Sequence, residues 1–283
     1  MEKIVVIGLG LIGGSLAIDL KKNGNRHIIG LDKNENHTEK ALELNIVDAA
    51  GTENDIATAD IVIVAVPADA IPAVTKMVLD RISDNALVFD VGSVKGQVCS
   101  QIKNHPNRKN YVAVHPIAGT EFSGPEAAFS GLFTNKINII CEKKASDKKI
   151  LEKALQVFDE LQMRITFMNA DEHDKHIAYV SHLSHISAFM LGKTVLEIEP
   201  NEKNIFNMAG SGFRSTVRLA KSSPAMWTPI FLQNKENILK SLNEYIKNLE
   251  TFKTKIEEGS NEEVFEIMEN TNRIKNILDG IVK

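Results

Sequence analysis

The chain has 283 residues, 43% hydrophobic and 25% charged, with 33 lysines and arginines against 37 acids and a formal charge of −4. That length predicts about two domains and room for a sizeable core, and the missing basic excess argues against a nucleic-acid partner. The two cysteines, Cys99 and Cys141, each stand alone, which excludes a disulfide scaffold and thiolate zinc knuckles and fits a reducing compartment. No apolar run reaches about 18 residues. Met1-Glu2-Lys3 leads directly into a strand-like segment, so the expectation is a cytoplasmic protein with no membrane partner.

In chain order, Lys3–Ile7, Ile28–Leu31, Ile61–Val66, Ala86–Asp90, Tyr111–Val114, Ile137–Cys141 and Arg164–Met168 read as strands. They are short, β-branched and apolar on successive residues, as strands buried on both faces are. Helix-length segments lie between several of them, including Leu11–Lys22, Ala70–Arg81 and Asp147–Leu161. Such alternation predicts crossover units and a mostly parallel, doubly wound α/β sheet. From about Asp171 the strand pattern stops. Asp171–Leu196 reads as one long helix and Ala225–Glu258 as another, with Leu239, Leu242, Ile246, Leu249, Phe252 and Ile256 on a repeating apolar stripe. Gly259 ends that helix, and Ser260 with Glu263 has the form of a capping box opening a last helix to about Asp279. The expected organisation is residues 1–170 as an α/β domain and 171–283 as an all-α domain. Its stripes suit a dimer face, with a monomeric bundle packed on the sheet as the alternative.

The first strand runs into Gly8-Leu9-Gly10-Leu11-Ile12-Gly13 and then a helix, the fingerprint of a Rossmann-like dinucleotide site. Gly8 permits the tight turn, Gly10 lets backbone approach a pyrophosphate, and Gly13 allows close helix–strand packing. Leu11 and Ile12 begin the helix whose free N–H groups attract the anion. Asp32 ends the second strand and is expected to accept the ribose hydroxyls and repel a 2′-phosphate, which favours NAD over NADP, although Lys33 beside it softens the discrimination. Val66 and Pro67 end another strand, where ligands bind in this fold.

Two further strand ends carry polar residues, Asp90-Val91-Gly92-Ser93-Val94-Lys95 and His115-Pro116-Ile117-Ala118-Gly119-Thr120-Glu121. An imidazole beside a nicotinamide can accept an alcohol proton as hydride leaves its carbon, which makes His115 the candidate base. On that role turnover should fall as pH drops through roughly 6.5. His173 with His176 and His182 with His185 are each three apart and share a helix face, so a metal site is a rival reading. No third strong ligand stands nearby in sequence, and the expectation is no metal.

The glycine fingerprint, Gly92-Ser93-Val94-Lys95, the His115–Glu121 segment, Ser181-His182-Leu183-Ser184-His185 and Thr216-Val217-Arg218-Leu219-Ala220 occur in order across nearly the whole chain. Together they resemble the prephenate dehydrogenase family. The resemblance implies a Rossmann-type domain followed by a helical dimerisation domain, and NAD-dependent oxidative decarboxylation of prephenate, or of arogenate in some relatives. It implies His115 as the group that holds the ring hydroxyl, with Ser93 orienting it or the same hydroxyl. Arg218 becomes the main carboxylate partner, Arg214 an assistant, and His185, Ser181, Thr120 and Glu121 substrate-site residues. Trp227 matches a position near the active-site entrance, or serves as an apolar anchor between helices. One departure is Ser215, where relatives often carry an acid that pairs in a network with the glutamate matched by Glu121. The resemblance includes no ACT or chorismate mutase domain. The rivals are a β-hydroxyacid dehydrogenase or imine reductase, for which Lys193 stands too far along its helix to match the catalytic lysine, and a non-catalytic NAD-binding module.

Overall fold

Successive side chains of a strand face opposite sides of a sheet, so a run such as Ile4-Val5-Val6-Ile7 must be covered twice. The computed structural model, which describes residues 1–22, 24–202 and 204–281, meets that demand. Ile4 and Val6 join one core with Leu16, Leu20 and Phe158. Val5 and Ile7 join another with Ile71, Val78 and Val98. Each fully buried aliphatic side chain of this kind contributes roughly 1.5–3 kcal/mol.

The α/β part contains β1 (Glu2–Ile7), α1 (Leu11–Lys22), β2 (Arg26–Leu31), α2 (Glu35–Glu43), β3 (Ala49–Ala50), β4 (Ile61–Val64) and α3 (Ile71–Leu79). It continues through β5 (Leu87–Asp90), α4 (Gly96–Gln101), β6 (Tyr111–Pro116), β7 (Ile137–Cys141), α5 (Lys148–Glu160) and β8 (Arg164–Met168). One sheet holds them in the order β3-β2-β1-β4-β5-β6-β7-β8. Every pairing is parallel except that of β6 with β7, where His115 lies opposite Ile139. β3 was not legible in sequence, because two residues carry no periodicity. The antiparallel step follows from the loop after β6, which returns the chain to the same end of the sheet without a crossover helix.

The helical part begins with α6 (Ala170–Ile177), a π-helical turn (Ala178–His182) and α7 (Leu183–Ile198). It goes on through α8 (Ser211–Thr216), α9 (Pro224–Gln233), α10 (Lys235–Glu257) and α11 (Asn261–Ile281). The single helix expected over 225–258 is two, because Asn234 leaves the helical region at φ −104° and ψ 28°. Its side chain donates instead to the Asp174 carbonyl at 2.7 Å. The chain divides into two compact units, Met1–Lys235 and Glu236–Lys283. The first contains the sheet and the helices through α9. In the second, Gly259 at φ 66° ends α10, and Lys255 bridges Glu258 and Glu263 at 2.9 and 3.0 Å.

Gly8 and Gly13 show how tightly β1 and α1 meet. Gly8 has φ 97°, and a Cβ on Gly13 would lie 1.9 Å from the Gly8 carbonyl oxygen and 3.0 Å from the Ala65 Cβ. Backbone cannot yield there as a side chain would. Gly13→Ala should therefore cost about 2 kcal/mol or more, in the overpacking range, read as a lower urea midpoint. Gly10→Ala, whose Cβ meets nothing within 4 Å, should keep the wild-type midpoint; equal losses in both variants would contradict this packing.

Candidate active site

Strand order reverses beside β1, the place where open α/β sheets bind ligands. Gly8 donates its N–H to the Leu31 carbonyl at 2.8 Å, which closes the turn against β2. Open space at Gly10 and the N-terminal residues Leu11 and Ile12 of α1 leave room and unpaired backbone donors for a phosphate. Asp32 lies at the end of β2. Its Oδ2 accepts the Leu9 N–H at 2.8 Å and its Oδ1 the Asn34 N–H at 2.9 Å. A carboxylate has about four acceptor positions, so lone pairs remain for ribose hydroxyls. His37 stands 3.4 Å from the same carboxylate, while Lys33 is exposed. Val66 is half-buried and Pro67 exposed just past β4, and Ala65 packs on Gly8.

The polar ends of β5 and β6 are tied together underneath the site. Lys95, fully buried, pairs with Asp90 Oδ2 and donates to the Val114 carbonyl at 2.7 Å. Asp90 also accepts the Tyr111 hydroxyl and the Gly92 N–H. Burial and the Asp90 charge push the Tyr111 phenol well above its ordinary value, so it remains a donor. His115 emerges from β6 above this base with 8% of its surface exposed. Its Nδ1 lies 2.8 Å from Nε2 of His173, and Nδ1 of His173 lies 2.7 Å from Asp174 Oδ1. Asp174 in turn accepts the backbone N–H of Lys95 at 2.8 Å and of Gly96 at 2.7 Å. Ser93 is half-buried beside this turn, with no side-chain hydrogen bond among the described residues. Nδ1 of His115 is taken by His173, and the expectation that Ser93 orients His115 or the substrate hydroxyl stays with its free hydroxyl.

The π turn carries Ser181 and His182 one element later. A π turn adds a residue to a helical repeat and is frequent at functional sites. His182 is buried; its Nδ1 lies 3.2 Å from the Asn234 amide nitrogen, and its Nε2 has no partner among the described residues. His185 Nδ1 donates to the Ser181 carbonyl at 3.0 Å, and its ring stacks on Trp227 with centroids 3.5 Å apart. Trp227 is 7% exposed and packs with Ala68 and Val94, residues of the loops after β4 and β5. It is thus an anchor of α9 on the sheet's ligand-binding end as well as the floor for His185. Burial, and after it the charge of exposed Arg218, holds the His185 pKa down. Neither Arg218 nor Arg214 makes a hydrogen bond or ion pair among the described residues, and the same holds for half-buried Glu121. Thr120 Oγ1 accepts the Phe122 N–H at 3.3 Å.

These residues follow a known order. Residues 16–167 match the nucleotide-binding domain of prephenate dehydrogenase, and residues 169–270 match the dimerization domain of the same enzymes. The chain belongs to the prephenate dehydrogenase family. Prephenate dehydrogenase of Bacillus subtilis (strain 168) is 32% identical over 269 residues, covering 93% of this chain and 72% of that one. A crystal structure of prephenate dehydrogenase from Aquifex aeolicus, in complex with hydroxyphenyl propionate and NAD+, superposes with a TM-score of 0.89 at 33% identity over 98% of each chain. The arogenate dehydrogenase of Synechocystis superposes at 0.79 and 29% identity, over 98% of this chain and 99% of that one.

His173 is buried against His115 while His176 is exposed, so that pair does not converge. Among the described residues no group of three or more His, Cys, Asp or Glu is arranged to hold a metal. Lys193 pairs with Glu197 on an exposed face of α7. Sequence reasoning missed Asp90, Tyr111, His173, Asp174 and Asn234 as parts of the site. His173 was visible only as half of an apparent metal pair.

Burial is the main cause that lowers His115, His182 and His185. It holds His115 well below the ordinary imidazole range, and brings His182 down to about 4. The acid loss of turnover expected near pH 6.5 therefore moves to lower pH. Stability follows the opposite partner: the unfolded chain takes up histidine protons near pH 6.5, whereas folded His182 does so only near 4. Folding is thus destabilised as pH falls below 6.5, with His182 accounting for about 3 kcal/mol of the loss by pH 4. Urea unfolding at pH 7 and 4 should show a clearly smaller decline in His182→Gln; equal declines would contradict the buried neutral ring.

Proposed function

We propose that the chain catalyses NAD-dependent oxidative decarboxylation of prephenate to 4-hydroxyphenylpyruvate, a step toward tyrosine. The observation that carries this reading is a buried, neutral His115 at a strand end on the ligand-binding edge of the sheet, in a chain whose Arg218 and Arg214 have no ion partner among the described residues. The glycine turn, the first N–H groups of α1 and the spare lone pairs of Asp32 fit a dinucleotide. The Asp32 carboxylate supports NAD over a cofactor bearing a 2′-phosphate. Bound NAD supplies the hydride acceptor.

Prephenate carries a ring hydroxyl and two carboxylates. His115 Nε2 accepts the hydroxyl proton as hydride leaves the same carbon. The bond to the ring carboxylate then breaks, carbon dioxide departs, and its electron pair completes the aromatic ring. The drive belongs to the substrate, so the protein positions and polarises. Arg218 beside His185 binds a carboxylate, and Arg214 assists. The unpaired Ser93 hydroxyl is available to the ring hydroxyl, and Ser181 and Thr120 line the substrate. A second reading, arogenate as substrate, draws support from Glu121, an unpaired carboxylate that an ammonium group would seek.

A homodimer is part of the proposal. The second compact unit leaves Leu239, Ile246 and Leu249 of α10 and Phe265, Ile274, Ile277 and Leu278 of α11 all more than 40% exposed, apolar surface of the kind a second copy covers. The match to a dimerization domain supports the same partner.

His115→Asn should lower kcat roughly 100- to 10,000-fold, the span of general-base contributions, with little change in KM for prephenate. Arg218→Ala should raise that KM by about 10- to 100-fold, from a charge-assisted contact of roughly 1.5–3 kcal/mol, and alter kcat much less. Steady-state kinetics with NAD check both. An unchanged kcat in His115→Asn would remove it as the base, and an unchanged KM in Arg218→Ala would move the carboxylate site elsewhere.

A further inference from the structure

We propose that His173 and Asp174 are positioning residues which hold His115 in the tautomer with the proton on Nδ1, leaving its Nε2 lone pair for the substrate hydroxyl. The inference rests on the reading of His115 as the proton acceptor and adds the device that keeps it one.

The argument begins at donors that cannot change. The backbone N–H groups of Lys95 and Gly96 point at the two oxygens of Asp174 at 2.8 and 2.7 Å. Backbone amides only donate, so both oxygens are acceptors, and an ionised carboxylate fills that role. Nδ1 of His173 lies 2.7 Å from the oxygen that already takes the Lys95 N–H. It must therefore carry a hydrogen. A neutral His173 with hydrogen on Nδ1 has a bare lone pair on Nε2. That lone pair lies 2.8 Å from Nδ1 of His115. The opposite tautomer of His115 would set two lone pairs against each other at that distance. Nδ1 of His115 therefore holds the hydrogen, and its Nε2, which has no partner among the described residues, is the free base.

The same chain stabilises the product of proton transfer. When Nε2 takes the hydroxyl proton, His115 becomes cationic and its Nδ1–H bond to His173 becomes charge-assisted, hence stronger. Asp174 keeps its three hydrogen bonds throughout, and no second proton has to move. The groups facing His115 are His173 from α6, His182 from the π turn and Lys95 from the turn after β5. Lys95 is neutralised by Asp90, and His182 is held neutral by burial. The carboxylate of Asp174 is thus the charge that reaches His115 through a neighbouring ring.

The sequence places this device out of view. Asp174 is 79 and 78 residues from its two backbone donors, and His173 is 58 from His115. Only the packing of α6 on the turn before α4 brings them together.

The test compares His173→Leu, His115→Asn and the double variant in the full chain, with prephenate and NAD. His173→Leu should lower kcat about 10- to 1,000-fold while the Kd for NAD, from fluorescence titration, stays within about twofold. Its kcat/KM profile should lose its acid limb to lower pH, since the imidazolium has lost its acceptor. In the His115→Asn background, adding His173→Leu should change kcat less than about threefold, because the relay then has nothing to hold. His173→Gln, which keeps an acceptor oxygen, should recover part of the activity. A wild-type kcat in His173→Leu, or the same fold loss in both backgrounds, would overturn the relay and leave the proposed function standing. A wild-type kcat in His115→Asn would overturn both. If His173→Leu does not fold, nitrogen-15 spectra of histidine-labelled wild-type protein decide: hydrogen on Nδ1 of both His115 and His173 is expected, and hydrogen on Nε2 of His115 overturns the proposal.

Discussion

A single carboxylate, that of Asp174, holds the candidate site of this molecule together. Its oxygens accept the first N–H groups of the α4 turn and face the ring nitrogen of His173. Its carbonyl takes the Asn234 side chain, which breaks the helix between α9 and α10. Three separate stretches of chain therefore meet at one residue that is 5% exposed. Each hydrogen bond to a buried charge is worth roughly 1.5–3 kcal/mol, and losing one partner costs more than making it gained. The placement of His115 depends on that account being settled.

Beneath it lies a second charged pair, Lys95 with Asp90, closed by the Tyr111 hydroxyl and the Val114 carbonyl. A buried ion pair contributes little net stability against an apolar replacement. Its effect here is geometric. It fixes the ends of β5 and β6 relative to each other, and those ends display Ser93 and His115. The upper wall is apolar: Trp227 rests on Val94 and Ala68 and offers its ring to His185. One end of the site is thus set by charge and the other by stacking, with Arg218 left exposed near His185.

How much of this the sequence showed depends on the range of the interaction. The glycine turn, the strands and Asp32 rest on spacing within one βαβ unit, where local sterics dictate residue type, and they stand in the structure where the pattern put them. His115 was legible because it ends a strand beside a proline. Lys95 was legible as part of a motif but not as a buried strut, since its partner Asp90 faces it only after the turn has folded. His173 and Asp174 carried a misleading local signal: His173 and His176 share a helical spacing, yet one is buried and the other exposed. The π turn had no signal at all, because nothing in Ala178-Tyr179-Val180-Ser181-His182 distinguishes a wide turn from an ordinary one. With Ser215 in place of an acid, the sequence left Arg214, Arg218 or no partner open for Glu121, and among the described residues it has none.

The central claim is a hydride transfer joined to loss of carbon dioxide, and one experiment meets it directly. Purified protein is mixed with prephenate or arogenate, each with NAD or NADP, and reduced nicotinamide is followed by its near-ultraviolet absorbance. The account predicts fast formation of NADH with prephenate, with NADP far slower because of Asp32. Silence in all four mixtures, with NAD binding intact, would leave a dinucleotide-binding fold and contradict the catalytic reading.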